Sequence, residues 1–153
     1  RRAGIVVYLD STFQRMNYYA LGPWENYNDR RDGSLMGHYT TMVENSGERY
    51  MKPQSMGGRE LLRELTLTDK QGRGVRVETE GDVSFSALNY TDAQLMEALH
   101  KEDLQRYPAV VLHLDACTRG VGNASCGADV DTLPKYRVAQ KMQHYKLRLS
   151  AAK

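Results

Sequence analysis

The sequence predicts an all-β fold, an antiparallel β-sandwich with one short helix near Thr91–His100. Three observations predict it. Apolar and polar residues alternate in short runs, which is the pattern of strands with one buried face. Turn-forming residues separate these runs. One segment alone changes to helical spacing. A chain of 153 residues is long enough to bury a core, so residues 1–153 are expected to form one domain or part of one.

The runs with strand character are spread along the whole chain. They are predicted at Val6–Leu9, Met16–Leu21, Leu61–Leu67, Val75–Glu78, Val83–Ala87, Val110–Asp115 and Tyr145–Leu149. Most have an apolar and a polar side, so we expect half-buried antiparallel strands. The segment Asp69–Gly72 lies between two of the runs and predicts a hairpin turn.

The helix is predicted from its first turn. Thr91 supplies a hydroxyl and Gln94 an amide three positions later, which is the form of a capping box. Leu95, Met96 and Leu99 follow at helical spacing. Together, these residues predict a short helix from about Thr91 to His100.

The composition excludes several classes of protein. Lys and Arg total 21 against 19 Asp and Glu, and this net charge of +2 argues against a strongly basic nucleic-acid-binding protein. The hydrophobic content of 41% and the charged content of 26% are typical of a globular chain. No apolar run approaches the roughly 20 residues that a membrane-spanning helix needs.

Residue types that carry chemistry are present without a recognised catalytic pattern. The four histidines are far apart in sequence, so they predict no local metal cluster. A pair of carboxylates close in space would suit a glycosidase, but the sequence does not place any pair together. The carboxylates considered are Glu25, Asp29, Glu44, Glu48, Glu60 and Glu64. For Cys117 and Cys126, two free thiols are favoured over a disulfide because a chain of this length needs no covalent staple.

One segment stands out from ordinary sandwich sequence. Gly22–Arg30 combines a Gly-Pro chain reversal, the only tryptophan, two carboxylates, two amides and an arginine. It is either a sugar-binding loop or a self-bonded structural corner, and the residues alone favour the corner. Asp29 and Arg30 are expected to hold it with charge-assisted bonds. Its residues are Gly22, Pro23, Trp24, Glu25, Asn26, Tyr27, Asn28, Asp29 and Arg30.

This segment resembles the GP-x-ENY-x-DR motif of the last domain of bacterial glycoside hydrolase family 2 β-galactosidases. Further blocks resemble that domain in the family's order across nearly the whole chain. They are Tyr18–Tyr19, Gly37–Tyr39, Lys52–Arg59 with Arg63, Tyr90–Leu95, Leu114–Asp115, Arg119–Gly122 and Leu133–Tyr136.

The resemblance implies a galactose mutarotase-like supersandwich, of which this chain matches the later part. It implies a C-terminal, non-catalytic part of a retaining β-galactosidase, because the family's catalytic glutamates belong to a separate barrel domain. We therefore assign no catalytic residue, no metal site and no cofactor to this chain; the family commonly uses a divalent metal in the barrel. The implied partners are the remaining domains of the parent enzyme, a galactoside substrate and further copies in a homo-oligomer. Cytoplasm and periplasm of a bacterium both stay open.

The resemblance also implies that one loop reaches the rim of the galactose pocket. Well-known members carry a tryptophan there, whereas this chain has Cys126, which offers much less apolar face. We expect Asn123, Ser125 and Cys126 to be the substrate-binding residues. A tight turn built on the loop's glycines is an equally good interpretation.

Two other functions are weighed against this one. A free-standing mutarotase-like epimerase needs a histidine and a glutamate that converge on a sugar ring, and His113 or His38 with Glu25 are the candidates. A carbohydrate-binding module needs exposed aromatic side chains. Its candidates are Trp24, Tyr27, Tyr39 and Tyr50.

Overall fold

The structure is a computed structural model that describes residues 2–121, 131–138 and 142–152. One α-helix is found among these residues, α1 at Asp92–Glu97. The strands are β1 (Arg2–Asp10), β2 (Arg15–Gly22), β3 (Leu35–Met42), β4 (Glu64–Thr68), β5 (Gly74–Glu80), β6 (Ser84–Leu88), β7 (Ala109–Thr118) and β8 (Lys146–Ala152).

The strands form two sheets that share one core. The smaller sheet has the order β1-β7-β6, and the larger one has the order β3-β2-β4-β5-β8. Every strand pair is antiparallel. A single apolar cluster takes side chains from both sheets, so the predicted antiparallel β-sandwich is confirmed. Its fully buried members are Met16, Ala20, Leu62, Leu65, Leu67, Val77, Ala87, Val110, Leu112 and Leu114.

The predicted hairpin between β4 and β5 is present. Asp69 N donates to Arg73 O at 2.8 Å, and the Asp69 carboxylate accepts the Gln71 amide at 2.8 Å. Gly72 has a φ of +83°, a backbone conformation that glycine adopts without steric cost. The turn residues therefore act as the sequence predicts.

The predicted helix is shorter than expected at its C-terminal end. Thr91 Oγ1 accepts the Gln94 amide and Gln94 Oε1 accepts the Thr91 amide, which is the predicted capping box. Ala98 is already extended at ψ 131°, so the helix ends at Glu97 instead of near His100. No helix in the described ranges is long and apolar enough to cross a membrane.

The predicted strands differ from the observed ones in several places. The run predicted to begin at Leu61 starts at Glu64, because Leu61 has a φ of 56°, outside the strand region. The strand β3 was not predicted. Its first two residues, Leu35 and Met36, are both apolar, and the residues from Gly37 to Thr41 are mostly small or polar, so its sequence lacks the apolar alternation of a predicted strand.

The prediction of a half-buried strand is wrong for β6, whose residues Ser84–Leu88 are all buried, and for β7. All six residues from Val110 to Asp115 are buried, including the polar side chains of His113 and Asp115. One face of β7 packs in the sandwich core, and β7 is the central strand of its sheet. The side chains of His113 and Asp115 are therefore buried on the opposite face of β7. Buried polar groups need hydrogen-bond partners, so this face is a candidate binding surface.

Candidate functional site

The segment Gly22–Arg30 follows β2 and bonds to itself and to the chain around Gly58–Glu60. The Asn26 amide group donates to Leu21 O at 3.1 Å and to Trp24 O at 3.0 Å. Its Oδ1 accepts the Glu60 amide at 2.8 Å. These are the bonds of a self-bonded corner, and they leave the Asn26 side chain 1% exposed.

Glu25 is buried within this corner and is used as a hydrogen-bond acceptor. It accepts the Gly57 amide at 2.8 Å, the Tyr27 hydroxyl at 3.3 Å and the Tyr50 hydroxyl. Arg30 lies 3.8 Å away. Burial and the nearby Glu25 raise the pKa of Tyr27 far above its usual range, so this phenol stays a donor.

The candidate sugar-stacking aromatics are dispersed among different environments. Trp24 is 73% exposed, whereas Tyr27 is 7% exposed. Tyr39 packs on Tyr18 with their ring centroids 5.4 Å apart, and Tyr50 is bonded to Glu25. Of the four, Trp24 alone presents a largely open ring.

The candidate histidine–glutamate pairs have other contacts. His113 Nε2 lies 3.5 Å from Asp92 Oδ1. His38 stacks on Tyr19 with their ring centroids 4.4 Å apart. Burial and then Arg2 lower the pKa of His113, which favours its neutral imidazole. The contacts of Glu25 described above do not include either histidine.

A polar pocket of about 700 Å³ lies between the outer face of the small sheet, the Gly58–Glu60 chain and the end of β7. Two carboxylates, Glu60 and Asp115, face it together with Arg2. Arg2 donates to Ser55 Oγ at 2.7 Å and lies 3.5 Å from Asp115 Oδ2. The pocket thus collects groups that hydrogen-bond to hydroxyl-rich molecules or to a polar surface of another domain.

Burial dominates the protonation of both carboxylates in this pocket. It raises the pKa of Glu60 to about 7, although the Thr118 hydroxyl bond opposes the shift. It raises the pKa of Asp115 to about 6, with Arg2 acting in the opposite direction. Glu60 was among the carboxylates that the sequence singled out, whereas Asp115 and Arg2 were not predicted as site residues. Two signals in the sequence point to Asp115: it ends the mostly apolar run that begins at Val110, and it belongs to the block Leu114–Asp115 that resembles the family.

The predicted substrate-binding residues Asn123, Ser125 and Cys126 lie outside the described residues. Because Cys126 is among them, the expectation that Cys117 and Cys126 are free thiols stays a prediction. The chain on either side of them is described. The polar pocket is also lined by Arg119, Gly120 and Val121, which precede the undescribed residues 122–130, and by Thr132, which follows them.

Metal binding has no support among the described residues. No group of three or more His, Cys, Asp or Glu side chains within residues 2–121, 131–138 and 142–152 is arranged to hold an ion. The two features of the candidate site are the hydrogen-bonded segment Gly22–Arg30 and the polar pocket beside it.

Comparison with known proteins decides the family. Residues 1–149 match the protein family described as beta-galactosidase small chain. This chain belongs to that family. The order of blocks from Tyr18 to Tyr136 resembled the last domain of β-galactosidases, and that recognition is confirmed.

Members of the small-chain family are found within much longer bacterial proteins. The chain is 34% identical over 122 residues to "Beta-galactosidase BgaC" of Bifidobacterium adolescentis, covering 78% of this chain and 12% of that protein. It is 34% identical over 121 residues to a beta-galactosidase of Enterobacter cloacae, covering 79% of this chain and 11% of that protein. With a beta-galactosidase of Arthrobacter sp. the identity is 26% over 156 residues, 99% of this chain and 15% of that protein.

The fraction of each relative that this chain matches shows how the chain relates to a whole β-galactosidase. Matches cover most of the chain but span only 11% to 15% of each relative named above. The chain therefore corresponds to a small part of those β-galactosidases. Their other parts, at least 85% of their length, have no counterpart in these 153 residues.

Proposed function

We propose that this chain is the C-terminal, non-catalytic sandwich of a retaining β-galactosidase that hydrolyses terminal β-D-galactosides. The observation that carries the proposal is the family match over residues 1–149 together with the small share of each relative that it spans. A segment that corresponds to about an eighth of such an enzyme is best suited to a supporting role.

In this proposal the chain braces the catalytic barrel of the parent enzyme. The partners are the remaining domains of that enzyme and, through it, a galactoside and further copies in a homo-oligomer. The polar pocket near Glu60 and Asp115 supports the proposal, because desolvation raises the pKa of both carboxylates and polar groups of this kind suit a face that another domain covers. Residues 1–153 are then one part of a larger domain or a domain by themselves.

The loop that follows Val121 is proposed to meet substrate at the rim of the galactose pocket. Asn123 and Ser125 would bind sugar hydroxyls, and Cys126 would supply a small apolar contact. Support comes from the position of the flanking residues Val121 and Thr132 at the polar pocket.

The proposed function is tested on the full-length polypeptide that carries this chain. Its reading frame should encode a barrel domain with two glutamates, and the purified enzyme should hydrolyse an aryl β-galactoside. Proton NMR of the first product should show the β-anomer of galactose, since a retaining enzyme keeps the configuration. A full-length protein without a barrel, or one that epimerises galactose without cleaving galactosides, would refute the proposal.

A further inference from the structure

The tip of the corner contacts the chain at the end of β7. Tyr27 and Arg30 close a tight turn, with Tyr27 N donating to Arg30 O at 3.1 Å and Arg30 N donating to Tyr27 O at 2.8 Å. Asn28 and Asp29 occupy the two positions between them. The turn thus presents an amide and a carboxylate at a fixed place beside the small sheet.

Both tip residues bond to the backbone that leaves β7. The Asn28 side-chain amide donates to Thr118 O at 2.7 Å. Val121 N donates to Asp29 Oδ1 at 3.1 Å. These bonds join residues about ninety positions apart, so the corner fixes the direction in which the chain leaves the strand.

Gly120 makes the close approach of Asp29 possible. A Cβ on Gly120 would lie 2.4 Å from Asp29 Oδ2 and 2.5 Å from its Cγ, closer than real Cβ contacts. The Asp29 carboxylate therefore occupies the space that a side chain at position 120 would need. Both the carboxylate and the glycine are required for this contact.

The returning chain is tied to the same point. Gly120 N donates to Tyr136 O at 2.8 Å, and the Thr132 hydroxyl donates to Gly120 O at 3.3 Å. Arg119 Nε donates to Thr132 Oγ1 at 3.0 Å, and Arg137 Nε donates to Thr132 O at 2.7 Å. Thr132 is 1% exposed, so the returning chain is tied to Gly120 through a buried residue.

We propose that Asp29, assisted by Asn28, is a positioning residue for the proposed substrate-facing loop. It acts by fixing Gly120 and Val121, where the chain leaves β7, and through Gly120 it fixes the return at Thr132 and Tyr136. Asp29 does not touch substrate in this account. The inference rests on the proposed function for its effect on catalysis, but the anchoring itself is independent of that function.

The test uses the full-length enzyme with Asp29→Ala and Asp29→Asn. Alanine removes the acceptor of the Val121 amide, whereas asparagine keeps an oxygen of similar placement and should rescue. We expect Asp29→Ala to raise KM for an aryl β-galactoside by about three- to tenfold with kcat changed less than about twofold, as loss of substrate positioning would. Hydrogen exchange of peptides covering Thr118–Val121 and Thr132–Tyr136 should accelerate in Asp29→Ala and stay unchanged in Asp29→Asn.

The matched control is Asp32→Ala, which removes an exposed carboxylate two residues after the segment Gly22–Arg30. It should leave KM and exchange unchanged. Gly120→Ala disturbs the same contact from the Gly120 side and should reproduce the effects of Asp29→Ala. It therefore provides a second test if the Asp29 variant folds poorly. Unchanged exchange at Thr118–Val121 in both variants would overturn the anchoring. Faster exchange with unchanged KM would overturn the role in substrate binding, and a wild-type enzyme inactive on galactosides would instead refute the proposed function.

Discussion

Thr118 donates its hydroxyl proton to Glu60 Oε1 at 3.3 Å, joining the end of β7 to the chain that leads into β4. The same carboxylate faces the polar pocket, and its burial raises the pKa of Glu60 to about 7 from an ordinary 4.5. Between these two values the folded chain binds more protons than the unfolded chain. The free energy of unfolding therefore falls as the pH rises from about 4.5 through 7.

Replacing Glu60 with glutamine should remove this pH dependence. The amide oxygen still accepts from Thr118, but no charge is buried at high pH. We expect Glu60→Gln to be more stable than the wild-type chain at pH 8, by roughly 1–3 kcal/mol, and to show no such gain at pH 4. Urea unfolding of the purified chain at several pH values measures the difference, with the exposed Glu44→Gln as a control. Stability curves of equal slope for Glu60→Gln and wild type would contradict this assignment.

Gly74 is required for the close pairing of β4 and β5. A Cβ at this position would lie 1.9 Å from Leu67 O and 2.8 Å from Thr68 Cα, both backbone atoms of the neighbouring strand. Gly74→Ala should therefore destabilise the chain by about 1–3 kcal/mol, the usual cost of forcing atoms into a packed site. Thermal melts compare it with Gly33→Ala, whose added Cβ would meet nothing within 4 Å. Equal melting temperatures for the two variants would show that the strands separate without cost.

The sequence predicted the elements whose burial follows a simple alternation. Leu65 and Leu67 point into the core while their neighbours are partly exposed, so the period is visible in the residues. The strand β3 was missed because its residues from Gly37 to Thr41 are mostly small or polar and show no such period. Where both faces are covered, as at His113 and Asp115, a polar residue does not indicate solvent, and alternation predicts the wrong exposure.

The candidate site was harder to predict from the sequence than the strands were, because it joins segments that are distant along the chain. The motif containing Asn28 and Asp29 was recognised, but its residue sequence does not indicate that these two residues bond to Thr118 and Val121. The pocket likewise brings Glu60, in the chain before β4, together with Asp115 of β7. Such pairings depend on sheet order, and sheet order does not follow from local pattern.

Cys126 tests the proposed substrate-facing loop directly. In the full-length enzyme, Cys126→Ala should raise KM for an aryl β-galactoside about two- to fivefold with little change in kcat, because a ground-state contact is lost. Cys117→Ala removes the chain's other thiol, in β7, and should leave both constants unchanged. Unchanged kcat and KM for Cys126→Ala would remove this thiol from the site.

The central claim is that this chain supports a reaction centre that lies elsewhere in the polypeptide. The most direct measurement is the hydrolysis of an aryl β-galactoside by the full-length protein and by the isolated chain of 153 residues, at equal molar concentration. We predict turnover by the full-length protein and none above the buffer rate by the isolated chain. Release of the aryl alcohol by the isolated chain, at a rate proportional to its concentration, would contradict the account.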